Sequence, residues 1–395
     1  MMNLVSKCFL SVVLLCDSAS AGSVANYLGV GFSTEFMSEK PSKSKVIDQI
    51  LPNLKDTLGI SMFRIYNAVK DAPYVAYLIS GNRKTKFIVD IGTIWYRDSE
   101  QIKLDALTSD NVSRYLTDYI DEVGETVKAT LGDEYEWLDN VSTVAYFNEP
   151  SIEYKHWFED QFTIDEYKHI LKRLNRMVQD FFNTYKNGKY STTITVAPIF
   201  MGGIIPNFNF TMGLTAEALK LQAEAGAPAG VYSNIYSCHP AGLNGTQSFQ
   251  ELSACVGSNG TVSSFETQVL QWREMIQDAI SSEGVPVDPT DVKLTISESG
   301  YPTAGDPFLS EYISAQWYAS TIRQMEDPDS SLYGVDVFFF EALDEDLKPS
   351  DGLFGSWEPH WGLMTADGKI KEQIAKYWPK IDDGHQMDRM SNPEL

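Results

Sequence analysis

Positive charge is what this sequence has least of: 31 Lys and Arg stand against 54 Asp and Glu, for a formal net charge of −23. A phosphate backbone or an anionic membrane would be repelled rather than neutralised, which argues against nucleic acid, acidic lipid and polyanionic substrates as partners. Histidine is scarce as well. The five present, His156, His169, His239, His360 and His385, show no HExxH or similar metal spacing. The glycines, Gly202-Gly203 included, form neither a phosphate-binding loop nor a dinucleotide fingerprint. No metal and no cofactor is expected. No apolar run approaches the roughly 20 residues that a membrane helix needs, so no membrane anchor is expected either.

What is present is an ordinary globular composition, 43% hydrophobic and 22% charged. Lys7, the apolar stretch Cys8 to Cys16 and the small-residue site Ala19-Ser20-Ala21 mark residues 1–21 as a signal peptide, and hence a secreted protein. The wall, the medium and a vacuole are all open as destinations. Removing that peptide leaves two of the four cysteines, Cys238 and Cys255, which in an oxidising route form either a disulfide or two isolated thiols. Asn-x-Ser/Thr sequons start at Asn111, Asn140, Asn209, Asn244 and Asn259. Asn140 opens a predicted strand, so the other four are the glycosylation candidates. A polar tail, 385–395, has no lipid-anchor or retention motif.

Between signal and tail, short β-branched or aromatic runs alternate with long stretches of 3.6-residue period. Strands are expected at 27–33, 61–67, 86–93, 141–149, 192–198, 230–236, 291–298 and 334–341. Helices are expected at 46–58, 72–82, 110–131, 163–186, 215–226, 263–283, 309–327 and 368–378. Eight strands, each followed by a helix, with no composition break over 22–384, predict a single (β/α)₈ barrel, the TIM-barrel form of the α/β class. The predicted strand-to-helix loops are long, notably 94–109, 150–162, 199–214, 237–262 and 342–367, whereas the returns are mostly short. Barrel enzymes build their sites from the former.

Two predicted strands end in glutamate: VSTVAYFNEP places Asn148-Glu149 at the edge of the fourth, and DVKLTISESGYP places Glu298 at the edge of the seventh. A barrel gathers strand ends around one axis. Two carboxylates held about 5–5.5 Å apart there could serve as nucleophile and proton donor at a glycosidic bond. Trp95, Trp157, Trp357 and Trp361 fall on the same loops and suit the apolar faces of sugar rings.

The ordered set of motifs is similar to glycoside hydrolase family 17, the β-1,3-glucanase family among retaining barrel glycosidases. The resemblance runs from Gly29 to Met364, through GVGFS at Gly29–Ser33, FRIYNA at Phe63–Ala68, FNEP at Phe147–Pro150, SNIYS at Ser233–Ser237 and SESGYP at Ser297–Pro302. Its most diagnostic block is FFFEALDEDLK followed by WEPHWGLM. The resemblance implies Glu149 as acid/base, Glu298 as nucleophile, and Asn148 beside the sugar 2-hydroxyl or the nucleophile. It implies that Tyr66 and Tyr236 face the centre. Glu345, Lys348 and Glu358 would tune the catalytic pair and hold sugar hydroxyls. Tyr301 and Trp361 join these as substrate-binding candidates. Phe32 stands where many members have tyrosine, and Tyr301 where tryptophan is usual.

The expected activity is endo-hydrolysis of a neutral β-1,3-glucan by a monomer, through a covalent glycosyl-enzyme. A β-1,3-glucanosyltransferase is the alternative if the acceptor is another glucan. The alternative of another class is a catalytically idle glucan-binding or wall-structural protein, against which the intact Glu149 and Glu298 speak.

Overall fold

The computed structural model describes residues 28–92, 106–132, 137–202, 208–236, 263–306, 309–350 and 355–379. The signal segment, the polar tail, Trp95, His239, His385, Cys238, Cys255, Asn244 and Asn259 lie outside the described residues.

Eight strands close a parallel barrel: β1 (Leu28–Phe32), β2 (Met62–Ile65), β3 (Lys86–Asp90), β4 (Val141–Asn148), β5 (Thr195–Met201), β6 (Gly230–Asn234), β7 (Lys293–Ser299) and β8 (Asp336–Phe339). Each pairs with its successor, and β8 returns to β1 through Leu28 opposite Val337 and Val30 opposite Phe339. A helical element follows every strand, ending with Glu372–Tyr377 after β8. Trp378 seals the ring by donating its indole N–H to the carbonyl of Leu58 at 3.1 Å.

The sequence explains the two faces of the wall. Along β1, Val30 and Phe32 point outward into the main core, where Phe32 packs edge-on to Phe63 at 6.4 Å. Alternating with them, Gly29 and Gly31 face inward, where a Cβ would run into the Phe338 ring or the Tyr66 hydroxyl respectively. Glycine is needed there for close approach, not for its torsional freedom. The inward layer is Ile88, Ala145, Ala197, Ile199, Tyr232 and Phe338. Mixed large and small side chains fill the barrel, leaving polar groups to its C-terminal end.

The outer helices are amphipathic and capped. Ile164–Thr184 starts with a capping box between Thr163 and Glu166 and buries Tyr167, Leu171, Leu174, Met177, Val178, Phe181 and Phe182. Ser109–Leu131 begins on the Thr108 side chain and stops at Gly132, which is left-handed at φ 75°.

Several boundaries differ from expectation. The helix predicted from 215 begins at Phe208 and runs to Ala225. Asn209, Thr211 and Gly213 read as loop residues, but Phe210 is buried and stacks on Tyr167 at 6.0 Å, and tertiary packing outweighs weak propensity. The fifth strand lies three residues later than the predicted 192–198.

Candidate active site

Register shifts in the sheet aim the site. Between β4 and β5 the pairing jumps from Ala145–Ala197 to Phe147–Pro198, so Tyr146 is an extra residue. Between β7 and β8 it jumps from Ile296–Val337 to Ser299–Phe339, setting Ser297 and Glu298 against one residue of β8. Such bulges turn neighbouring side chains toward the same side. Ser297 and Glu298 accordingly both reach the barrel axis. Glu149, just past β4, is left-handed at φ 47° and ψ 54°, with its N–H donated to Ile199 O at 2.7 Å. That backbone costs a non-glycine residue about 1–2 kcal/mol, and it turns the chain into Pro150 and the short helix behind it.

A ring of hydrogen bonds then joins the two glutamates. Asn234 Nδ2 donates to Glu149 Oε1 at 2.9 Å and to Asn148 Oδ1 at 3.2 Å. Asn234 Oδ1 accepts from Arg64 Nη1 at 2.8 Å and from Ser297 Oγ at 3.1 Å. Arg64, fully buried, also donates Nη2 to Asn148 Oδ1 at 2.9 Å and reaches Glu298 Oε1 with Nη1 at 3.5 Å. Its second ion-pair partner is Asp90, at 3.5 Å. The Arg64 guanidinium carbon lies over the Tyr66 ring, 4.6 Å from the ring centre. Arg64 thus gathers Asn148, Asn234 and Glu298, with Glu149 held through Asn234 and the Tyr66 ring beside the guanidinium.

The electrostatics follow from burial and from this crowding of carboxylates. Burial first, then the Glu298 carboxylate, hold the Tyr66 and Tyr236 phenols well above their usual pKa, so both keep their protons. Burial pushes Asp90 up to about 6 against the pull of Arg64. Burial also raises Glu358, while Lys348 pulls it down and Glu298 pushes it up, so Glu358 stands within the field of Glu298.

The auxiliary residues after β8 form a second cluster. Lys348 Nζ sits between Glu341 Oε1 at 2.5 Å and Glu345 Oε2 at 3.1 Å, 4.2 Å from the centre of the Phe340 ring. Phe340 in turn meets Tyr66, Tyr236 and Trp361 edge-on at 5.9, 6.5 and 5.6 Å. Glu345 is occupied by the protein itself: besides Lys348 it accepts from Ser33 Oγ at 3.1 Å and Phe36 N at 3.0 Å. It therefore braces the loop after β1 and has little left to offer a sugar. Trp361 and Tyr301 are both 1% exposed, so neither presents a ring face to a groove. Tyr301 instead packs in the main core, its backbone N–H on the Tyr318 hydroxyl at 3.4 Å. The loop carrying Glu358 and Trp361 is tied down from below: Lys371 Nζ donates to Thr303 Oγ1 at 2.6 Å and Asp344 Oδ1 at 2.7 Å, and Asp344 accepts Gly362 N at 2.9 Å.

The loop after β1 is fastened at a further point. Asp71 Oδ1 accepts from Thr34 Oγ1 at 2.9 Å and Thr34 N at 3.3 Å, and burial raises its pKa to about 6. A carboxyl whose folded pKa exceeds its unfolded value binds more protons when folded, so stability is lost as pH rises through the window from about 4 to about 6. Asp71→Asn keeps an acceptor for Thr34 and removes the buried charge. It should stabilise the fold at pH 7.5, by at most about 3 kcal/mol for two pKa units, and leave stability unchanged near pH 4. Thermal unfolding at the two pH values checks this; an equal effect at both would refute it.

Of the glycosylation candidates within the described residues, Asn111 is half-buried in the first turn of its helix and Asn209 is exposed. Asn140 is 2% exposed and donates to Arg83 O and Thr85 O, so it is closed to modification in the folded chain. Among the described residues no three His, Cys, Asp or Glu side chains are grouped to hold a metal, and no helix is long and apolar enough to cross a membrane. The motifs FRIYNA, SNIYS and FFFEALDEDLK contain Arg64, Asn234, Phe340 and Glu341 without assigning them a role, and Asp90 lies outside every motif. For Arg64, Asp90 and Asn234 the available signal was a polar or charged residue near the end of an otherwise apolar strand.

Fold and site together have the layout of a (β/α)₈ glycosidase: a closed barrel with carboxylates ending β4 and β7. The comparisons agree with that class. Residues 263–375 match the model of the family described as "Glycosyl hydrolases family 17", and the chain resembles that family. The chain is 33% identical over 115 residues to a glucan 1,3-beta-glucosidase of Saccharomyces cerevisiae, covering 28% of this chain and 33% of that one. It is 29% identical over 119 residues to a glucan 1,3-beta-glucosidase of Candida albicans, covering 30% and 35%. The matched segment thus spans about a third of the length of these curated relatives. In fold it is similar to CJP38, a beta-1,3-glucanase and allergen of Cryptomeria japonica pollen, with a TM-score of 0.57 at 15% identity over 87% of this chain and 97% of that one. A structure of plant beta-glucan endohydrolases gives 0.56 at 16% identity, over 87% and 98%.

Proposed function

We propose that this chain is a secreted retaining glycosidase that hydrolyses β-1,3-glucan internally. Glu298 attacks the anomeric carbon while Glu149 protonates the leaving oxygen; Glu149 then takes a proton from water as it displaces Glu298. What supports this reading above all is the ring Glu149–Asn234–Arg64–Glu298, which holds two carboxylates from opposite parts of the barrel in one hydrogen-bonded unit. The two carboxylates also have unlike surroundings, an amide N–H on Glu149 and a guanidinium beside Glu298, as a pair with two roles requires. The linkage rests on the relatives named above.

The test is product analysis, by mass and by anomer, on a linear β-1,3-glucan. Shorter chains born with the β configuration are expected, with cellulose, chitin and polyuronates untouched. Products longer than the substrate would assign transfer to a glucan acceptor instead. Comparable cleavage of β-1,4-glucan would overturn the linkage, and binding without turnover on every glucan would overturn the activity.

A further inference from the structure

Arg64 is one cation facing two buried anions. Its Nη1 looks toward Glu298 on β7 and its Nη2 toward Asp90 on β3, both at 3.5 Å. Asp90 is 4% exposed, and its other oxygen accepts Gly92 N at 2.7 Å, which fixes the carboxylate against the barrel wall. We propose that Asp90 is a positioning residue of the active site: it orients the Arg64 guanidinium toward Asn148 and Asn234 and draws part of its charge away from Glu298. The inference rests on the assignment of Glu298 as nucleophile.

The chemistry follows from the sharing. A carboxylate that alone faced a buried guanidinium would be strongly stabilised as an anion and correspondingly poor at attacking carbon. With Asp90 ionised, Arg64 divides its field and Glu298 keeps more of its nucleophilicity. With Asp90 neutral, the guanidinium turns its full charge on Glu298. The other titratable groups around Arg64 are Tyr66, which stays protonated, and Glu149, across Asn234. The charged groups that act on Asp90 itself are Arg64, which lowers its pKa, and Glu298, which raises it. Because Asp90 titrates near 6, the division of charge changes with pH in a window where the carboxylates of an ordinary surface are already ionised.

The experiment measures labelling of the enzyme by a 2-deoxy-2-fluoro β-1,3-glucoside carrying a fluoride leaving group, which reports nucleophilic attack alone. In the unaltered protein the label should sit on Glu298, read by mass of the peptide; a label elsewhere, or none, would overturn the nucleophile assignment and with it this inference, whereas a label on Glu298 leaves the variants to test Asp90 alone. Asp90→Asn should label about fivefold more slowly than the unaltered protein at pH 7.5 and at nearly the same rate at pH 5, where Asp90 is already protonated. Asp90→Ser, which leaves room for water beside Arg64, should show the same pH-dependent gap. Equal rates at both pH values, or an equal deficit at both, would overturn the proposal. Failure of both variants to fold would overturn it too, making Asp90 a part of the barrel's stability instead.

Discussion

Under the proposed double displacement, Glu298→Ala should bring turnover of β-1,3-glucan down by about 10⁴-fold or more, because no covalent intermediate can form without the nucleophile. Azide should restore turnover in that variant and give the inverted glycosyl azide, since a small anion can enter the space vacated beside Arg64. Glu149→Ala should behave differently. On glucan it loses the factor of about 10²–10⁴ that general-acid assistance supplies. An aryl glycoside with a strongly acidic phenol needs no such help, so it should still glycosylate the variant and accumulate as glycosyl-enzyme. Neither change should disturb the surrounding ring. Asn234 Nδ2 keeps Asn148 Oδ1 as an acceptor without Glu149, and Arg64 keeps Asp90 and Asn148 without Glu298. Stopped-flow kinetics and intact mass on the two variants separate the roles. Equal and mild losses in both would mean that the pair is misassigned.

The parts of this molecule that were legible in its sequence are those written in periodicity. Runs such as KFIVD and VSTVAYF alternate toward a core that lies on both faces of the wall, and the barrel follows from counting them. Glu149 and Glu298 were legible as candidates because two strand-end glutamates, each in a distinctive local sequence, could meet around one barrel axis. What stayed hidden has a physical origin in each case. Bulges leave no mark in composition, so that Ser297 and Glu298 both face inward could not be read from a strict alternation. Arg64 and Asp90 are partners across two strands, and pairing is a property of register, not of either residue alone. Tyr301 and Trp361 sit in glycine- and proline-rich loops that read as open surface, yet both are buried. Gly300 makes this possible: a Cβ there would strike the carbonyl of Phe340 and lie 3.3 Å from the Trp361 ring.

Glu341 lies inside the FFFEALDEDLK block, which assigned it no role, and it carries the largest expected effect on stability. It closes the run FFFE after β8 and is 1% exposed, with Lys348 Nζ on one of its oxygens. Burial works against the charge on Lys348, but Glu341 and Glu345 together outweigh it and hold the ammonium above its usual pKa. Lys348→Met fills a similar volume and removes the only cation in contact with either carboxylate among the described residues. Two acids with side chains 2% exposed are then left facing each other. Breaking a buried ion pair from one side costs about 3–5 kcal/mol. The loss should depend on pH in a definite sense. Burial already raises Glu341 well above the usual carboxylate range, Lys348 opposes this, and Glu345 adds to it, so without Lys348 the folded pKa climbs further. A group raised in the folded state contributes stability that fades as pH rises, and the deficit of Lys348→Met should therefore be larger at pH 8 than at pH 5. Adding Glu341→Gln to the variant should recover much of the loss at pH 8 and little at pH 5, because the amide imitates the protonated acid. Urea unfolding of the single and double variants at the two pH values decides it. A single-variant loss under about 0.5 kcal/mol, or one that does not change with pH, would mean that the cluster contributes packing alone.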